Sequence, residues 1–177
     1  MKKILFLIFV LIGTFVFSQE FVLTEDNYKL KDDKSKNYVV LEFPGKKIQE
    51  LFSLVKNNLP KKYDLKFDHI IESENNQIIV EITSQSSRTI FINRKGANVW
   101  KVVNKYELNF KDEKIMIKPS FMYLLNTETK SEASIGYLFN SRGIVRIENA
   151  VSFAEAFTNT FVRNFDKELI KHTSEKW

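Results

Sequence analysis

The chain has 177 residues, 44% of them hydrophobic and 28% charged, a net charge of +5 and no cysteine. That balance belongs to a globular protein rather than a disordered one. The lack of cysteine excludes disulfides, a thiol nucleophile and a thiolate metal site.

Met1-Lys2-Lys3 leads into an apolar run over residues 4–17, and Ser18-Gln19 ends it. Two lysines, an apolar stretch of about 7–15 residues and a small residue before the cut are the parts of a secretory signal peptide. A spanning helix needs roughly 20 apolar residues, so residues 1–18 are expected to be removed after Ser18 rather than retained as an anchor. No cysteine follows the run, which leaves no site for a diacylglycerol anchor. Removing 18 of 177 residues leaves 159, expected to form one domain over residues 19–177. Lys2 and Lys3 leave as well, so the charge falls from +5 to +3.

Phe21–Thr24 reads as a short strand or an ordered arm, and the polar residues 25–36 as a loop. Residues 38–43 are β-rich and stop at Pro44-Gly45. Ile48, Leu51, Phe52 and Val55 then fall at i, i+3, i+4 and i+7, the spacing of one helical face. Asn57-Asn58 and Pro60 are expected to end that helix. Residues 65–73 and 77–83 read as strands of a hairpin about Glu74-Asn75-Asn76. A bend over residues 84–87 separates them from a strand over 89–92. Residues 99–110 alternate clearly: Trp100, Val102, Tyr106, Leu108 and Phe110 share one side, with Asn104 its single polar member. Val103 is the apolar exception on the other side. Lys111-Asp112-Glu113 forms a turn, and residues 114–123 alternate again. Pro119 cannot donate to a ladder, so that strand is expected at an edge or broken there. Residues 126–134 read as a polar loop, and 135–139 with 143–148 as a hairpin.

Ser152 and Glu155 have capping-box spacing at the start of a last helix. Phe153, Phe157, Phe161, Phe165 and Leu169 recur every four residues along it as an apolar stripe. An α+β fold follows, two-layered, with a curved antiparallel sheet carrying both helices on one face. Its order is β-α-β-β-β-β-α with an extra C-terminal hairpin.

The first strand and helix, from Tyr38-Val39-Val40-Leu41-Glu42-Phe43-Pro44-Gly45-Lys46-Lys47 to Leu51-Phe52, resemble a family of secreted Bacteroidota proteins of unknown function with a TBP-like domain. Tyr106-Glu107-Leu108-Asn109-Phe110-Lys111-Asp112-Glu113-Lys114 is similar to that family's strand and Phe-Lys-Asp-Gly-Lys hairpin, with Glu113 in place of the glycine. The Phe-rich last helix and the leader ending Phe-Ser-Gln are similar too. The resemblance implies a TBP-like curved sheet backed by two helices. It supplies no activity and no site residues, and fold does not fix function.

The chain has two histidines, His69 and His172, far apart in sequence. A histidine metal site needs several convergent ligands, so no metal, cofactor or catalytic residue is assigned, and His69 is read as a strand residue. No Gly-x-Ser-x-Gly elbow occurs, and five glycines form no phosphate-binding loop. Lysine and arginine alternate with aspartate and glutamate, without the dense basic stripe of a nucleic-acid binder. Arg88, Arg94 and Lys95 are the candidate contacts for an anionic partner, against the plainer reading of a solvated turn. Tyr137, Phe139 and Trp177 are the aromatic candidates outside the main stripes.

The expected function is a non-enzymatic, extracytoplasmic binding or structural module of the bacterial cell envelope. It would meet an envelope protein, glycan or lipid through the open sheet face or the hairpin loops. The alternative is a small secreted hydrolase with scattered acidic residues.

Overall fold

The computed structural model describes residues 19–63, 70–73, 76–90 and 98–174. Residues 1–18, read above as a signal peptide, His69, the turn at Glu74-Asn75, Arg94, Lys95 and Trp177 lie outside the described residues. In chain order the elements are β1 (Phe21–Thr24), β2 (Asn27–Leu30), β3 (Val39–Glu42), α1 (Ile48–Tyr63), β4 (Ile70–Ser73), β5 (Gln77–Thr83), β6 (Arg88–Ile90), β7 (Asn98–Lys111), β8 (Lys114–Asn126), β9 (Glu132–Ala133), α2 (Ile135–Leu138) and α3 (Glu148–Ser174).

Seven strands form one antiparallel sheet in the order β3-β8-β7-β5-β4. β6 continues the β5 edge of β7, and β9 continues the β3 edge of β8. The period of two along β7 puts Trp100, Val102, Asn104, Tyr106, Leu108 and Phe110 on the buried face. The two long helices, α1 and α3, cover that face. Phe52 of α1 meets Phe110 edge-on at 5.3 Å, and Phe161 of α3 stacks on Tyr106 at 3.8 Å. The result is a two-layer α+β fold. Val103 lies on the uncovered face yet is only 1% exposed, which accounts for its apolar character there.

β1 and β2 form a separate hairpin. Residues 25–36 are therefore not all loop: Tyr28 and Leu30 alternate into the core and define β2. The edge of β1 is closed by α3. Asn159 accepts from Phe21 N (2.8 Å) and donates to Phe21 O (3.0 Å), and Glu155 Oε1 accepts from Leu23 N (2.9 Å). Glu155 is thus engaged with β1 rather than in a capping box. The helix begins a turn earlier than expected, at Glu148, and the Ser152 hydroxyl donates back to Glu148 O.

Pro60 does not end α1, which continues to Tyr63. Leu59, one turn beyond Val55, is buried and draws the last turn onto the core. Pro119 does not mark a sheet edge either, because β8 is flanked by β7 on one side and by β3 and β9 on the other. Phe121 N points to that second side, where it donates to Asn27. Two residues away, the Pro119 nitrogen points the same way, into the gap between β3 and β9 where no ladder bond is needed.

The β7–β8 turn is a two-residue loop, Asp112-Glu113, with Glu113 at φ 64. The side chain that replaces glycine here is used: Glu113 Oε1 accepts from Gly45 N at 2.7 Å. Asp112 Oδ1 accepts from Ile48 N at 2.9 Å, capping α1 from another element. The C-terminal hairpin is reduced to a single bridge, Phe139 with Val145, because residues 135–138 form a helical turn instead. Part of the expected loop over 126–134 is β9.

Candidate functional site

The aromatic stripe of α3 is mostly core: Phe153, Phe161, Phe165 and Leu169 are buried, while Phe157 is half-buried. The stripe is not covered along its whole length, because β5 bends away beside it. Ser84 fixes the bend. Its N–H donates to Val102 O at 2.8 Å, and its hydroxyl donates to Ser86 O (2.7 Å) and accepts from Val102 N (3.0 Å). With Ser84 held inward, Thr83, Gln85 and Ser86 border a groove of about 340 Å³ whose other wall is Phe157, Thr160, Phe161 and Asn164 of α3.

A second groove of about 300 Å³ lies between α1 and the last turns of α3, lined by Val55, Asn58, Leu59, Lys61, Phe165 and Leu169. Lys62 and Tyr63 border both grooves. The Tyr63 ring lies 5.4 Å from Phe161, and the Lys62 ammonium is 5.9 Å from the Tyr63 ring centroid. The first groove sets hydroxyl and amide side chains among aromatic walls, and Lys62 is its charged residue among the described ones. The second is mainly apolar.

Beneath the first groove the layers are joined by a buried polar network. Asn104 Nδ2 lies 2.7 Å from Thr158 Oγ1 and 3.2 Å from the hydroxyls of Tyr28 and Tyr106. The Tyr28 hydroxyl also donates to Ala154 O at 3.1 Å. Burial pushes both phenols above the usual tyrosine range, which keeps them protonated as hydrogen-bond donors. The network ties β2, β7 and α3 together as a structural floor.

On the uncovered face of the sheet Glu107 pairs with two lysines. Glu107 lies 3.0 Å from Lys105 and 3.4 Å from Lys118. Burial raises the Glu107 carboxyl, but the Lys105 hydrogen bond and the charges of both lysines outweigh it and hold the carboxyl below its ordinary value. Asp166, by contrast, is pushed up by burial alone. It sits on the inward side of α3 and lines neither groove.

Arg88 is exposed, with its guanidinium 5.2 Å from the Phe153 ring, so it packs over the first turns of α3. Arg94 and Lys95 lie outside the described residues. Of the aromatic candidates, Tyr137 is exposed, but Phe139 is buried and anchors the loop that follows α2. His172 falls in the last turn of α3. Among the described residues no three His, Asp or Glu side chains converge, and no helix is long and apolar enough to cross a membrane.

Thr83, Gln85, Ser86, Thr160 and Asn164 were not among the residues that sequence reasoning picked out. The one signal for them was the polar interruption after β5, which marks a bend without saying what faces it.

No protein-family model and no curated protein matches the chain. Among solved structures it is similar to a TBP-like protein from Parabacteroides distasonis, at 15% identity and TM-score 0.48, over 75% of this chain and 90% of that one. It is also similar to a DUF4468 family protein from Bacteroides ovatus, at 12% identity and TM-score 0.47, over 75% of this chain and 82% of that one. These neighbours are of the kind that the first strand and helix resemble.

Proposed function

We propose that the chain is an exported, non-enzymatic binding module of the bacterial cell envelope whose contact surface is the pair of grooves along α3. One observation carries this reading: the aromatic stripe of α3 is left open where hydroxyl and amide side chains face it across Tyr63. Concave sites that combine apolar and aromatic walls with a few polar groups are where proteins hold small ligands. Export rests on the basic, apolar and small-residue order of residues 1–18. The uncovered sheet face is the weaker surface, because Lys105, Lys118 and Glu107 already satisfy one another there.

The test is capture of envelope components on residues 19–177, which contain every described element. The extract is separated into protein, glycan and lipid fractions and compared by mass spectrometry with a Gln85→Ala/Asn164→Ala variant. The reading predicts a component enriched on the wild type and lost from the variant. Equal enrichment on both would remove the grooves from the account.

A further inference from the structure

We infer that the loop after α2 docks the protein on an anionic bilayer surface. The inference is independent of the grooves along α3. Of the five exposed large hydrophobic side chains among the described residues, three belong to this segment: Tyr137, Ile144 and Val145, exposed by 56%, 58% and 37%. Arg142 and Arg146 bracket the two aliphatic residues, and both are exposed. Neither guanidinium has a hydrogen-bond or ion-pair partner among the described residues.

The loop is shaped before anything binds. Leu138 and Phe139 are buried at its base, Arg146 N donates to Leu138 O at 2.8 Å, and Phe139 bridges to Val145. Asn140 sets the turn: its Oδ1 accepts from Arg142 N (2.8 Å) and Ile144 N (3.0 Å), and Gly143 takes a φ of 71. The exposed side chains are therefore presented at little further entropic cost. Glu25 packs against Gly143 and Glu148 opens α3, so two carboxylates lie near the loop. Both leave the arginines unpaired, and the long arginine stems carry their charge past the backbone.

An aliphatic pair between two guanidiniums, with a tyrosine in the same segment, suits the boundary between headgroups and acyl chains. Phosphates accept from arginine, aliphatic carbon enters below them, and tyrosine favours the interface. A soluble anion would leave Ile144 and Val145 in water. A stable protein partner takes about 20–30 residues a side, far more than residues 137–146 supply.

The test uses residues 19–177, which contain every described element and omit the apolar run that would enter a bilayer by itself. The chain has no cysteine, so Ser141→Cys carries a single environment-sensitive fluorophore in the loop, and Gln49→Cys carries one on the first turn of α1. On vesicles of phosphatidylglycerol and phosphatidylcholine in equal parts, a blue shift is expected at position 141 and none at 49. Each basic side chain at an anionic leaflet is worth roughly a factor of five, so Arg142→Gln/Arg146→Gln should weaken binding roughly twenty-five-fold. Ile144→Ser should weaken it roughly tenfold. Arg163→Gln/Lys167→Gln makes the same charge change at exposed positions of α3 and should matter by less than about threefold. No binding to these vesicles, equal binding to phosphatidylcholine alone, blue shifts at both positions, or an equal loss from the α3 pair would each overturn the inference. So would polyglutamate binding with the same dependence on Ile144, which would assign the loop to an acidic protein instead.

Discussion

Asn27 pairs with the backbone of Phe121 as though it were a strand: Nδ2 donates to Phe121 O at 3.0 Å, and Phe121 N donates to Oδ1 at 2.7 Å. The side chain fills the stretch of β8 edge between β3 and β9, and so fixes the β1–β2 hairpin to the main sheet. Asn27 itself sits at φ 97. Asn27→Gly keeps the backbone conformation and removes three hydrogen bonds, the two with Phe121 and one from Tyr28 N, at a cost of about 1–3 kcal/mol. Asn27→Ala loses the same bonds and adds the left-handed penalty of roughly 1–2 kcal/mol. Urea unfolding of both variants checks this, with alanine the less stable of the two.

Asn104 holds the buried floor. Asn104→Leu leaves the Thr158 and Tyr106 hydroxyls without their shared donor, and burying unsatisfied groups costs about 1–3 kcal/mol each. A total loss of about 3 kcal/mol is expected. Thr158→Val should cost about 1 kcal/mol, and the double variant less than the sum, because the two changes remove one shared bond. A strictly additive cycle would show that the network is not coupled.

Asp166 gives the chain a pH dependence of known sign. Burial raises its folded pKa above the ordinary 3.8. Below that value both folded and unfolded states are protonated and there is no penalty. As pH rises from 3.8 through the folded value, the native state keeps its proton longer and this contribution to stability is lost. Asp166→Asn is therefore expected to raise Tm at neutral pH, by roughly 2–4 °C for each kcal/mol regained. The gain should vanish below a pH of about 3.8, as thermal scans across that range would show.

The β7–β8 turn exchanges local strain for distant bonds. Glu113→Gly relieves the φ of 64 but removes the Gly45 contact, so the two effects nearly cancel, within about 0.5 kcal/mol. Asp112→Ala has no such compensation, since Ile48 N loses its cap and α1 should fray at its first turn. Faster amide exchange at residues 48–51 would register it.

Much of this fold was legible because period and burial agree. The side assignment along β7 is correct residue by residue, including Asn104 as the polar member of the buried face. What the sequence hides are pairings made by side chains across long separations. β2 is invisible until Asn27 is seen against Phe121, 94 residues away. The Ser152–Glu155 spacing misleads because Glu155 is taken by Leu23, 132 residues distant. Pro119 misleads because an inner strand has a gap on one side. The grooves were illegible for the same reason: α1, the β5–β6 bend and α3 meet only in three dimensions. Arg88 is charged and exposed as the sequence implies, but it is engaged with Phe153.

Photo-crosslinking in the living cell tests the groove most directly. A photoreactive phenylalanine analogue is placed either at Phe157, on the groove wall, or at Met122, exposed away from both grooves. The account predicts an envelope adduct from position 157 and none from 122. An adduct from 122 alone would contradict it.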